Sequence, residues 1–182
     1  MNAPSDFLRH KTVAVLAAPP ASAGPRPWPR RKPAPSLRAG PLCGAAGPWQ
    51  SLRADVTDLY SLRNAFAGIG RIDHLVLTAG ARVGSPRLED ATLDDLQRTF
   101  EVKLFGALLA AQQALPYLAP DASITFTSGL LSRKYGPGGL LKSAVNAALE
   151  AAAKNLAKEL APRRVNVVSP AWWIPSCGRG GV

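Results

Sequence analysis

No aspartate or glutamate occurs between Phe7 and Ala54 of this 182-residue chain, and its only two cysteines are Cys43 and Cys177. Two cysteines cannot build a disulfide framework or a four-ligand zinc site, so no metal centre is expected. No apolar run reaches the about 18 residues that a membrane-crossing helix needs. The opening residues, Met1 to Phe7, lack a basic segment followed by an apolar stretch, so no secretory leader is expected and the expected location is the cytoplasm.

What is present supports a folded body. Hydrophobic residues make up 47% of the chain and charged ones 19%, a balance that excludes wholesale disorder. The net charge of +10 is unevenly spread. Residues 1–50 hold seven Lys/Arg against Asp6 alone, whereas residues 51–170 hold fourteen against eleven acids. A nucleic-acid partner is not expected. The basic residues of the Arg26–Arg38 stretch alternate with proline and have Trp28 as their one interleaved aromatic.

Residues 19–50 contain nine prolines. Each proline fixes φ and removes a backbone donor, so this segment is expected to be irregular, without helix or central strand. From about Asp55 to Pro170 the pattern changes. Ile72-Asp-His-Leu-Val-Leu-Thr is an apolar run ending in Ala79-Gly80, which predicts a buried parallel strand and a tight turn. Thr92-x-x-Asp95 predicts a capped helix start, and Leu93, Leu96, Phe100, Leu104 and Leu108 follow at helical spacing. Ser123-Ile-Thr-Phe-Thr and Arg164-Val-Asn-Val-Val-Ser predict two more strands, with an alanine-rich helix over 142–160 between them. Thr12-Val-Ala-Val-Leu16 predicts a first strand. Strands alternating with helices imply right-handed crossovers, hence an α/β fold with a doubly wound parallel sheet.

Several motifs then stand in a telling order: Asp55-Val56, Asp73 to Gly80, Phe100 to Gly106, Thr127-Ser128, Lys142-Ser-Ala-Val and Arg164 to Pro170. This ordered set resembles the short-chain dehydrogenase/reductase family over roughly two-thirds of the chain. The resemblance implies a single Rossmann-like domain, an NAD or NADP cofactor, and hydride transfer between nicotinamide and a carbonyl or alcohol substrate. It implies cofactor contacts from Asp55, Val56, Thr78, Ala79, Gly80 and Lys142. Ser128 and Lys142 match the family's catalytic serine and lysine. The family's tyrosine, four residues before that lysine, is replaced by Gly138; Tyr135 stands seven before, and the Pro137-Gly-Gly139 turn offers a way to fold it back. Lys103 takes the place of the family's structural asparagine and joins the candidate catalytic set. The helices over 93–115 and 142–160 resemble the pair through which the family forms homo-oligomers. The substrate pocket is expected largely from residues after Pro170.

The glycine-rich phosphate loop that should follow the first strand is missing, for Ala17-Ala-Pro-Pro-Ala-Ser-Ala23 stands there instead. Prolines supply no amide donors to a pyrophosphate. One added base after a Leu16 codon can turn this stretch into Leu-Gly-Gly-Thr-Ser-Gly-Ile-Gly, and one restored base after Pro170 yields a glycine-containing loop of family type. The expected organisation is therefore a first-strand region over 1–16, an aberrant Pro/Arg-rich segment over 17–50, a Rossmann-like core over 51–170 and an aberrant tail over 171–182. On this reading the chain is frameshifted at both ends, and its sheet is incomplete, without the glycine-rich loop and the last strand. Two functions follow: an oxidoreductase, or a catalytically inactive remnant of one.

Overall fold

A computed structural model describes residues 11–17, 36–41, 49–80, 84 and 86–171. Six strands form one sheet: β1 (Thr12–Ala17), β2 (Ser36–Pro41), β3 (Gln50–Arg53), β4 (Ile72–Leu77), β5 (Leu118–Thr127) and β6 (Arg164–Val168). Their order is β3-β2-β1-β4-β5-β6. Strands β1, β4, β5 and β6 run parallel, as the alternating pattern predicts, whereas β2 pairs antiparallel with both β1 and β3. The architecture is the expected α/β Rossmann-like one with a mixed sheet.

The antiparallel pair falls within the segment expected to be irregular. Proline density is not uniform there: Ser36-Leu-Arg-Ala-Gly40 is free of it, and Pro41 ends the strand. Leu37 and Ala39 are buried and Arg38 is exposed, the alternation of a strand with one face on a core. Only residues 42–49 separate β2 from β3. That is too short for a parallel crossover, which takes about a dozen residues, so the two strands meet antiparallel.

Helix α1 (Leu59–Ile69) leads from β3 to β4, and α4 (Leu140–Glu159) leads from β5 to β6. Between β4 and β5 the chain forms α2 (Leu93–Phe100), a π-helical turn (Glu101–Phe105) and α3 (Gly106–Ala114). These three crossovers step in the same direction along the sheet. Right-handed connections therefore put α1, α3 and α4 on one face. Ala14, Leu16, Leu75, Leu77, Ile124 and Phe126 point into that face and are 0–3% exposed. Among the described residues no helix is long and apolar enough to cross a membrane.

Local chemistry sets the helix starts. Asp58 caps α1 by accepting from the Tyr60 and Ser61 amides, and Thr92 with Asp95 forms the predicted capping box on α2. Helix α1 was not singled out in the sequence, although Leu62 and Phe66 share a face behind Asp58. Helix α4 begins at Leu140, two residues before the predicted start. The long helix predicted over 93–115 is divided by its π turn.

Candidate functional site

In an open parallel sheet the ligand crevice lies at the carboxyl ends of the strands, where the strand order reverses. Here that point is between β1 and β4. Thr78 follows β4, is exposed, and ties itself to the end of β1 through its amide and hydroxyl, 2.9 and 3.2 Å from Leu16 O. A Cβ built on Gly80 would meet no atom of the described residues within 4 Å. Asp55, after β3, turns the chain: its carboxylate accepts from the Thr57 amide at 2.9 Å and hydroxyl at 2.7 Å. The Val56 side chain is buried against Gly106, where a Cβ would come within 2.8 Å of it, leaving only the Val56 backbone for a ligand. The stretch in place of the phosphate loop, residues 18–35, lies outside the described residues, as do Cys43, Cys177 and the tail from Trp172.

At the carboxyl end of β5 the side chains form a dense polar cluster. The Ser128 hydroxyl, 5% exposed, donates to Glu150 Oε1 at 3.0 Å and stands 3.3 Å from Asn146 O. The same Glu150 oxygen accepts from Ser132 and Ser169, each at 2.7 Å, and Arg133 lies 3.4 Å from Oε2. The hydrogen bonds from Ser169 and Ser132, joined by Ser128 and the Arg133 charge, outweigh burial and lower the Glu150 pKa to about 2. One carboxylate thus gathers the end of β5, the single turn Leu130–Ser132 and the residue after β6.

The sequence-predicted residues divide around this cluster. Ser128 is in it, with its hydroxyl turned into the protein. Lys103, on the π turn, reaches the same point from the other side, donating to Ser128 O at 3.3 Å. Burial lowers the pKa of its ammonium. Lys142 sits half-buried in the first turn of α4. Tyr135 does not join them: its ring is 80% exposed and its hydroxyl donates to Ser132 O at 3.2 Å. The turn before α4 is formed, with Gly138 at φ 71° and Gly139 N bonded to Gly136 O, yet it leaves Tyr135 facing solvent.

Glu150, Asn146, Ser132 and Ser169 were not found by sequence reasoning. A signal was there: Val145, Leu149 and Ala153 mark the buried stripe of α4, and Asn146 and Glu150 fall within it. Polar groups on such a stripe need partners. Asn146 Nδ2 lies 3.4 Å from Gly129 O, while its Oδ1, buried, has no donor among the described residues. Beside the cluster an open cleft of about 890 Å³ runs between residues 86–89 and 132–147, lined by Leu88, Tyr135, Pro137, Leu140, Ala144 and others. No metal-binding group of His, Cys, Asp and Glu occurs among the described residues.

Residues 38–176 match the family model described as enoyl-(acyl carrier protein) reductase. A short-chain dehydrogenase/reductase, ucsE, of Acremonium sp is 38% identical over 105 residues, covering 57% of this chain and 40% of that protein. An oxidoreductase of Methylorubrum extorquens is 34% identical over 139 residues, covering 73% and 56%. The oxidoreductase YghA of Escherichia coli is 33% identical over 111 residues, covering 60% and 38%. The chain thus spans 38–56% of the length of these relatives. The crystal structure of a small-chain dehydrogenase in complex with NADPH superposes with a TM-score of 0.62 at 44% identity, covering 64% of this chain and 53% of the other.

Proposed function

The chain belongs to the short-chain dehydrogenase/reductase family, and on that premise we propose that it acts as an NAD(P)-dependent oxidoreductase on a small carbonyl or alcohol substrate. The observation that carries this reading is the reversal of strand order between β1 and β4, with Thr78, Ala79 and Gly80 at its carboxyl end, in a chain similar to a dehydrogenase solved with NADPH. Asp55, the Val56 backbone and residues 78–80 are assigned to the adenosine half of a dinucleotide. The nicotinamide, when bound, supplies or accepts the hydride. The chain's own residues do the rest: Lys142 holds the cofactor sugar, and Ser128 and Lys103, at the carboxyl end of β5, are the candidate groups around the substrate oxygen, with Tyr135 left facing solvent. The cleft beside Leu88 and Leu140 suits an apolar substrate body. The location goes with the same reading, as a cytoplasmic enzyme, and α2–α3 with α4 as the surface for a second copy.

Titrating NADH and NADPH into the full chain while following nicotinamide fluorescence tests the reading. A saturable change with either cofactor is expected. No change with both at millimolar concentration overturns it for this polypeptide.

A second reading has an observation of its own. The Ser128 hydroxyl is committed to Glu150 and the Tyr135 hydroxyl to Ser132 O, which suits a catalytically inactive, frameshifted remnant. That reading predicts no rise of the melting midpoint with NADPH and a coding sequence unchanged at Leu16–Ala17 and Pro170–Ala171. A midpoint raised by NADPH sinks it.

A further inference from the structure

The carboxyl end of β5 carries one cation that is neither exposed nor paired with an acid. Lys103 sits at the middle of the Glu101–Phe105 π turn, a local widening that recurs at functional sites. Its Nζ donates to Ser128 O at 3.3 Å, and no other hydrogen bond or ion pair engages it among the described residues. Two of its N–H bonds thus make no hydrogen bond among the described residues. Asn146 grips the next peptide, with Nδ2 3.4 Å from Gly129 O, and keeps an acceptor, Oδ1, buried and unmet. A donor-rich cation and an unmet acceptor therefore flank the Ser128–Gly129 peptide.

Resting on the oxidoreductase reading, we infer that Lys103 Nζ is the catalytic group that binds the substrate's carbonyl oxygen and delivers its proton, in place of the Ser128 hydroxyl. Ser128 is spent on Glu150, and the Tyr135 hydroxyl is turned away onto Ser132 O. As the carbonyl carbon accepts hydride, the C=O π pair moves onto oxygen. The Nζ–H bond breaks, an O–H bond forms, and the lysine is left as a neutral amine that recovers its proton from water. Burial supports the exchange by lowering the Lys103 pKa. Charged groups on the elements packed against it do not offset this. On α2, Asp94 holds Arg98 at 2.7 Å and Asp95 caps the helix. On α4, Glu150 is taken by the serines, Lys142 is a like charge, and Lys154, Lys158 and Glu159 are exposed on its later turns. Glu101, on the π turn itself, is exposed.

Reductive trapping tests this without turnover. The full chain is treated at pH 7 with benzaldehyde, limiting relative to its lysines, and cyanoborohydride, and the labelled peptides are counted by mass spectrometry. An amine beside a carbonyl-binding site with a lowered pKa gains about tenfold in neutral form for each unit of lowering. Label at Lys103 is therefore expected above that at the exposed Lys134, Lys154 and Lys158. Label that follows exposure, with Lys103 at or below those three, overturns the inference. In the dimethylated chain, the carbon-13 methyl resonance missing from K103R is expected to titrate below the other lysines; a midpoint at or above theirs overturns it as well. The trapping needs no variant to fold. Cofactor binding with Lys103 unlabelled would refute this inference alone, and selective labelling without cofactor binding would refute the oxidoreductase reading alone.

Discussion

Replacing Glu150 by alanine removes the acceptor shared by Ser128, Ser132 and Ser169. A hydrogen bond to a charged group contributes about 1.5–3 kcal/mol, and such contributions do not add when they share one oxygen. Two of the hydroxyls have fallbacks, Ser128 at Asn146 O and Ser132 at Gly129 O, while Ser169 has none among the described residues. The loss should therefore be about 2–4 kcal/mol, nearer one strong bond than three. Linkage restates the same hydrogen bonds as a pH-dependent quantity. The carboxyl ionises normally near 4.5 and here near about 2, which corresponds to about 3 kcal/mol before discounting for the solvent-exposed Arg133 edge. Because the folded pKa is depressed, this stabilisation is complete above pH 4.5 and is lost as pH falls from there toward about 2. Urea unfolding of the wild type, Glu150→Ala and Glu150→Gln at pH 7 and at steps down to pH 3 reads both quantities. The gap between wild type and Gln should narrow steadily below pH 4.5. A gap under about 1 kcal/mol at pH 7, or one that pH leaves unchanged, would refute the account of the cluster.

Gly106→Val should destabilise the fold by about 1–3 kcal/mol, since even a Cβ there would stand 2.8 Å from the buried Val56; a melting midpoint within error of wild type would contradict this packing. His74 has Nδ1 2.8 Å from Ser123 Oγ and Nε2 buried without a partner, and burial lowers its pKa below 6.5. Its neutral form is the one folding favours, so its contribution is complete above pH 6.5 and is lost as pH falls below that value. The midpoint of the wild type should accordingly drop more steeply than that of His74→Gln on going below pH 6.5, and parallel curves would exclude His74 as the source.

Much of the sheet was legible because its strands announce themselves locally. Ile72 to Leu77 and Ser123 to Thr127 are β-branched or apolar runs bounded by turns, and both are strands where predicted. Strand β2 was hidden by averaging: nine prolines over 19–50 set the expectation, while five proline-free residues decide the local conformation. The site was harder to read, since spacing says which residues share a helix face but not which way a strand-end hydroxyl turns. Ser128 looked like a substrate contact. Its hydroxyl is held inward by Glu150, a residue 22 positions away that only the fold brings near. Lys103 was visible as a cation in an asparagine's place. Its burial and its contact with the Ser128 carbonyl depend on the π turn, which no local pattern encodes.

That turn has a consequence for how such a chain can change. A π turn holds one residue more than a regular helical turn, and each residue in a helix advances the direction of its side chain by about 100°. Dropping a single residue from Glu101–Phe105 would let α2 and α3 fuse into one regular helix; because the wider turn absorbs the extra residue, the flanking faces keep their directions and only side chains within the turn change theirs, by up to about that angle. The ammonium of Lys103 would swing away from β5, and the sheet and the loops around it would need no new connection. The segment behaves like the indexing tooth of a ratchet: one codon gained or lost exchanges the side chain offered to the crevice, leaving the surrounding architecture intact.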